Sequence, residues 1–177
     1  MEQTSSQQTS GTNLSFNVEK YPLVDITRKF NAPVERVWQA WTTPQMMKEW
    51  WGPENYSCPE AKMDVRKGGQ AILAMKGPDG KIQYSSGTYE EVIPQKKFVI
   101  TDQFSDENGK FMSPKEAGMP GEDWPDTMRY TVEFKKIGDN ESEIHIVHEG
   151  IPKSMHDDCV AGWSSSIDKL QNLVEQH

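Results

Sequence analysis

From Leu23 the chain reads LVDITRKF, in which apolar and polar positions alternate and branched residues recur, and this predicts a first strand ending at Asn31. The next segment, NAPVERVWQAWTTP, changes period. Val34, Val37, Trp38 and Trp41 fall at i, i+3, i+4 and i+7, the spacing of one helical face. A proline near the start and Asn31 as a candidate cap mark its beginning. Pro44 ends that helix and opens a short second one, PQMMKEW, on which Met46 or Met47 shares a face with Trp50. Neighbouring helical positions diverge by about 100°, so Trp50 and Trp51 cannot point the same way. One is expected to enter the core while the other sits at its edge.

After Pro59 the period returns to two in AKMDVRKGG, QAILAMKGPDG, KIQYSSGTYEEVIP and KKFVITDQF, and the GPDG between two of these segments predicts a hairpin. Residues 105–126 hold three prolines and no period, yet carry Phe111, Met112, Met119 and Trp124. A loop this long inside a compact domain is a functional lid or a disordered insertion, and the lid reading would place those four residues near a cavity mouth. MRYTVEFKK and SEIHIVHEG then alternate around GDN as another hairpin, with Met128, Tyr130, Val132 and Phe134 on one face and Ile144, Ile146 and His148 on the other strand's equivalent face. In the last segment Cys159, Trp163, Ile167, Leu170 and Val174 repeat at helical spacing, behind a candidate capping box from Ser154 to Asp157. One strand, two short helices, about six antiparallel strands and one long helix predict an α+β fold. The sheet's apolar face needs a cover, and the last helix is the only long element available, so the sheet is expected to wrap it.

Composition narrows the function. The chain of 177 residues suits one domain, at 21–177, behind a Gln/Ser/Thr-rich segment, 1–20, that reads as a flexible tail. A net charge of −8 and the lack of a basic, aromatic-interleaved patch exclude nucleic acid as an expected partner. No apolar stretch approaches the ~20 residues of a membrane span and the start lacks a leader pattern, so a cytoplasmic protein is expected. Cys58 and Cys159 stand apart in no metal-like spacing and read as free buried thiols. There is no GxSxG, P-loop or HExxH, and His145 and His148 fall on opposite faces of their strand, so no metal, cofactor or catalytic residue is expected.

The words APVERVWQAWTTP, EWWGP, MDVRKGG and GTYEEVIP, followed by a late GW and a leucine-spaced helix, occur in one order from about Leu23 to Gln176. Together they resemble the activator-of-heat-shock-protein-90-ATPase homologue family of the START/Bet v 1-like (SRPBCC) superfamily. The resemblance implies a helix-grip fold: a seven-stranded curved antiparallel sheet around a long C-terminal helix, with two short helices after the first strand and a cavity inside. It implies a non-catalytic protein that holds an apolar or amphipathic small molecule there, with polyketide cyclase, aromatase or hydrolase chemistry as the enzyme alternative. The namesake co-chaperone has a further N-terminal domain that also engages the chaperone, and the polar segment 1–20 is too short to be it, which counts against ATPase activation; a chaperone partner stands only as a further candidate.

In that fold Trp50 is expected to anchor the closed end of the half-barrel, with Trp51 as its more exposed neighbour. Met63, Val65, Tyr130, Val132, Phe134 and Ile146 are the expected wall, with Cys159 and Trp163 facing them from the helix. His148, with His156 and Tyr130, would orient a ligand's polar end. Alternation also turns Asp102 inward with Phe98, Ile100 and Phe104.

Overall fold

A computed structural model describes residues 14–176. Seven strands form one antiparallel sheet in the order β1-β7-β6-β5-β4-β3-β2. They are β1 (Val24–Phe30), β2 (Ala61–Met63), β3 (Gln70–Lys76), β4 (Ile82–Ile93), β5 (Lys97–Ser105), β6 (Met128–Gly138) and β7 (Glu141–Glu149). Between β1 and β2 come α1 (Val34–Thr42) and α2 (Pro44–Trp50), and α3 (His156–Val174) closes the chain. This is the expected α+β helix-grip architecture, and α3 packs on β1, α1 and α2.

Local chemistry explains the elements. At the β3–β4 turn the Gly80 N–H bonds the Gly77 carbonyl and Gly80 takes φ +83°, a conformation that favours glycine. At Gly87 the β4 backbone runs so close to β5 that an added Cβ would lie 1.8 Å from the Thr101 carbonyl oxygen. With the register shift between Tyr89 and Glu91, this is where the ladder bends. The α3 stripe predicted from spacing is largely buried: Trp163, Ile167, Leu170 and Val174 face inward, while Cys159, one turn from the helix start, is half-buried. Its outer side is tied down by Arg28, which bonds Asp168 at 2.8 Å and Gln171 at 2.9 Å.

Trp50 is fully buried and its indole N–H donates to the Ala40 carbonyl at 2.9 Å, while its ring lies 4.6 Å from that of Trp41. Met47, one turn earlier, shares its buried face. Two expected caps are absent. The α1 N-cap is Pro33, which offers no side-chain bond, and the Asn31 N–H is taken by Glu175 at 2.8 Å. Before α3, Pro152 starts a 3₁₀ turn, Lys153–Met155, so the cap falls on Met155 rather than Ser154 and no capping box forms. Of the expected tail, residues 1–13 lie outside the described residues. Leu14 and Lys20 touch the domain through Arg129, which donates to the Leu14 carbonyl, and through Lys153, whose N–H donates to the Lys20 carbonyl.

Candidate functional site

β6 and β7 are paired so that Tyr130 lies opposite His148, Val132 opposite Ile146, and Phe134 opposite Ile144. All six point to the covered face, but they meet different covers. Phe134 lies under α1, with its ring 5.0 Å from Trp38, and Val132 and Ile146 are fully buried beside it. At the other end α3 crosses the sheet, with the Trp163 ring 5.5 Å from that of Tyr130, and leaves a gap beside it. There, a cavity of about 270 Å³ opens to solvent between Tyr130 and His148, Asp102 and Phe104 of β5, and α3. Met75, Gln83, Tyr84 and Ser85 of the β3–β4 hairpin, and Trp51 with the turn after it, complete the wall.

The polar centre of this wall is assembled from three elements. His148 Nε2 lies 3.1 Å from Asp102 Oδ2, and the Trp163 indole N–H donates to Nδ1 at 3.1 Å. Cys159 Sγ lies 3.8 Å from the same Nδ1. Burial opposes charge on the ring, but the Asp102 carboxylate and the Cys159 sulfur outweigh it and raise the His148 pKa to about 9. The Trp163 N–H pulls the other way, because it needs the lone pair that a protonated Nδ1 would lose. The neutral ring that accepts this bond carries its proton on Nε2 toward Asp102, and a proton on Nδ1 requires the indole N–H to turn away. Tyr130 stacks edge-on to both His148 and Trp163 at 5.5 Å. Burial first, and Asp102 second, hold its phenol well above the usual range, so it stays neutral.

Of the residues expected to form the site, Asp102, Tyr130, His148, Cys159 and Trp163 meet at this cavity. The others lie elsewhere. Trp50 is sealed behind Trp41, and Trp51 takes the wall position, its ring 5.5 Å from Trp163. Met63 ends β2 after three residues and Val65 lies in the turn beyond, both packed on the outer part of the core. Val132, Phe134 and Ile146 face inward but under the helices. His156 starts α3 facing away, its Nε2 3.0 Å from the Leu23 carbonyl. Among the expected lid residues, Trp124 packs edge-on to the wall residue Phe104 at 5.6 Å, and Met119 Sδ accepts from the wall residue Gln83 at 3.3 Å. Met112 lies along a neighbouring surface groove, and Phe111 is exposed.

One wall position had no signal in the hydrophobic pattern. Gly162 sits inside α3, one residue before Trp163, and a Cβ added there would meet nothing within 4 Å. Glycine inside a helix costs roughly 0.5–1 kcal/mol relative to alanine; what it leaves here is room.

No helix among the described residues is long and apolar enough to cross a membrane. No curated protein matches the sequence. Solved structures do match. Protein CV1439 from Chromobacterium violaceum is 28% identical, covering 88% of this chain and 98% of its own, at a TM-score of 0.70. Protein NE0264 from Nitrosomonas europaea is 22% identical over 91% and 97%, at 0.71. The AHSA1 protein from Silicibacter pomeroyi, 18% identical over 85% and 96% at 0.66, shares the fold. The family model described as activator of Hsp90 ATPase homolog 1-like protein matches residues 31–175, which takes in α1 through the last turn of α3. The ordered words read in the sequence and this match agree, and the chain belongs to the activator of Hsp90 ATPase homolog 1-like family.

Proposed function

We propose that the protein is a non-catalytic binding protein that holds an apolar or amphipathic small molecule between the sheet and α3. The ligand's polar end meets Asp102 and His148. The observation that carries this reading is an unfilled space of about 270 Å³, walled by Trp51, Phe104, Tyr130 and Trp163, with one hydrogen-bonded polar pair at its side. A mostly apolar cavity with a few placed polar groups is the usual form of a small-molecule site. At ~30 Å³ per water, the space corresponds to about nine waters, which suits a compact ring system or a short chain. Membership in a family with this ligand-binding type of fold supports the same reading.

The contact between His148 and Asp102 also favours a second reading, a cavity enzyme of cyclase, aromatase or hydrolase type with His148 as general base. Titration separates the two. An environment-sensitive dye, fatty acids and aromatic polyketide-like compounds should change tryptophan emission saturably, with the ligand recovered unchanged, and Trp163→Phe should reduce the signal. A recovered product instead of the added compound favours the enzyme. No saturable response across the panel sinks the cavity reading and moves the function to a protein partner, such as a chaperone, on the outer surface.

A further inference from the structure

We propose that Cys159, His148 and Asp102 form a thiol–imidazole–carboxylate relay through which the protein captures electrophilic ligands covalently, one per molecule, on Cys159. The sequence carries no motif for this, because the three groups come from α3, β7 and β5 and meet only in the fold. The order of contacts is Cys159 Sγ to His148 Nδ1 at 3.8 Å, and His148 Nε2 to Asp102 Oδ2 at 3.1 Å. A base within reach of a thiol, itself oriented by a third group, is the arrangement that activates a nucleophile. Cys159 lies in the first turn of α3, where the helix favours negative charge, and it is half-buried on the cavity wall. Cys58 differs in each respect: it is buried, its thiol donates to the Glu60 carbonyl at 3.3 Å, and burial pushes its pKa up.

The ligand class follows from a soft nucleophile in an apolar pocket: an α,β-unsaturated carbonyl compound with an apolar body. The thiol proton passes to His148 Nδ1 and the sulfur forms a bond to the β-carbon. The carbon–carbon π pair moves to the enolate, and the imidazolium returns the proton to the α-carbon. The product is a thioether and nothing else is consumed. Trp163 controls the first step. Its N–H occupies the lone pair that must receive the thiol proton, so the relay works only when the indole gives way. Trp163 is itself cavity wall, and a ligand seated against it is placed to displace it. The groups facing the His148 ring are Asp102 from β5, Tyr130 from β6, and Cys159 and Trp163 from α3, while β1 sets Val24 opposite it.

The capture rests on the binding reading above only for the ligand's way in, and the test keeps the two apart. Full-length protein is treated with benzylideneacetone, followed by intact and peptide mass spectrometry, while its saturated analogue benzylacetone is titrated by tryptophan emission. A single adduct on Cys159 with Cys58 unmodified is expected. His148→Gln and Asp102→Asn, each checked for folding by circular dichroism, should slow it by about tenfold or more. The wild-type advantage over His148→Gln should stay roughly level below about pH 8, because the neutral imidazole that accepts the proton and the thiolate of an unassisted thiol both fall about tenfold per pH unit there. Trp163→Phe should speed the reaction in the wild-type background and leave it unchanged in His148→Gln. Equal acceleration in both backgrounds means that the indole only blocks access, and overturns the relay. So does a Cys159 rate that neither His148→Gln nor Asp102→Asn alters. Saturable benzylacetone binding without any adduct overturns capture and leaves the binding reading standing. An adduct that depends on His148, with no benzylacetone response, supports capture and counts against the binding reading.

Discussion

Replacing Gly162 by leucine separates binding from folding. The position is inside α3, its added Cβ meets nothing within 4 Å, and it lies on the cavity wall. Gly162→Ala should therefore stabilise the protein by roughly 0.5–1 kcal/mol, the helix cost of glycine, with no steric loss. Leucine keeps most of that gain and projects into the cavity. A large aliphatic side chain takes on the order of 150 Å³, the size of the void its deletion leaves in a core, which is more than half of the 270 Å³ available. What is left cannot hold a ligand that fills the wild-type cavity, so affinity should fall by at least about tenfold, or ~1.4 kcal/mol. Urea unfolding followed by circular dichroism gives the stability, and displacement of a fluorescent probe gives the affinity. If Gly162→Leu binds as the wild type does, the ligand does not occupy this space. If it destabilises by more than about 2 kcal/mol, the cost of overpacking, the space is not open.

Other outcomes follow from the same geometry. Trp50→Ala should cost about 3–5 kcal/mol, as a fully buried aromatic with a satisfied N–H; a urea-measured loss under about 1 kcal/mol would contradict its anchoring role. Asp102→Asn tests the charge beside His148. The folded His148 pKa, raised from 6.5 to about 9, means that the native state binds more protons across that window, so the pair's contribution is fully present below pH 6.5 and is lost as pH rises toward 9. The stability gap between wild type and Asp102→Asn should therefore shrink over that range, and a gap that widens refutes the assignment. Hydrogen exchange in 106–127 should slow with ligand bound, most near Met119 and Trp124, which touch wall residues; unchanged exchange at saturation removes the lid.

Periodicity makes the elements legible, and it places His148 and Asp102 on the inward face. It does so because a strand's alternation depends only on neighbours in the chain. What it cannot supply is position along the covered face. Tyr130, Val132 and Phe134 are equivalent by alternation, yet only Tyr130 meets the cavity, because α1 covers Phe134 and the buried Val132 lies next to it. That depends on how α1 docks. Trp50 and Trp51 pose the same problem: divergence was readable, but which ring meets the cavity follows from the turn after α2. Met63 and Val65 lost their expected places because β2 stops after three residues. Gly162 carries information as missing volume, which a hydrophobic pattern does not register.

The most direct measurement of the central claim is a two-dimensional NMR titration of the protein with benzylacetone and with a medium-chain fatty acid. Binding between the sheet and α3 predicts saturable shifts for the Trp163 indole N–H, the His148 ring and the amides of Tyr130, Cys159 and Gly162, with the Phe134 and Ile144 region unmoved. Shifts that grow linearly without saturation, or that gather on outward residues such as Ile93 and Ile137, would contradict it.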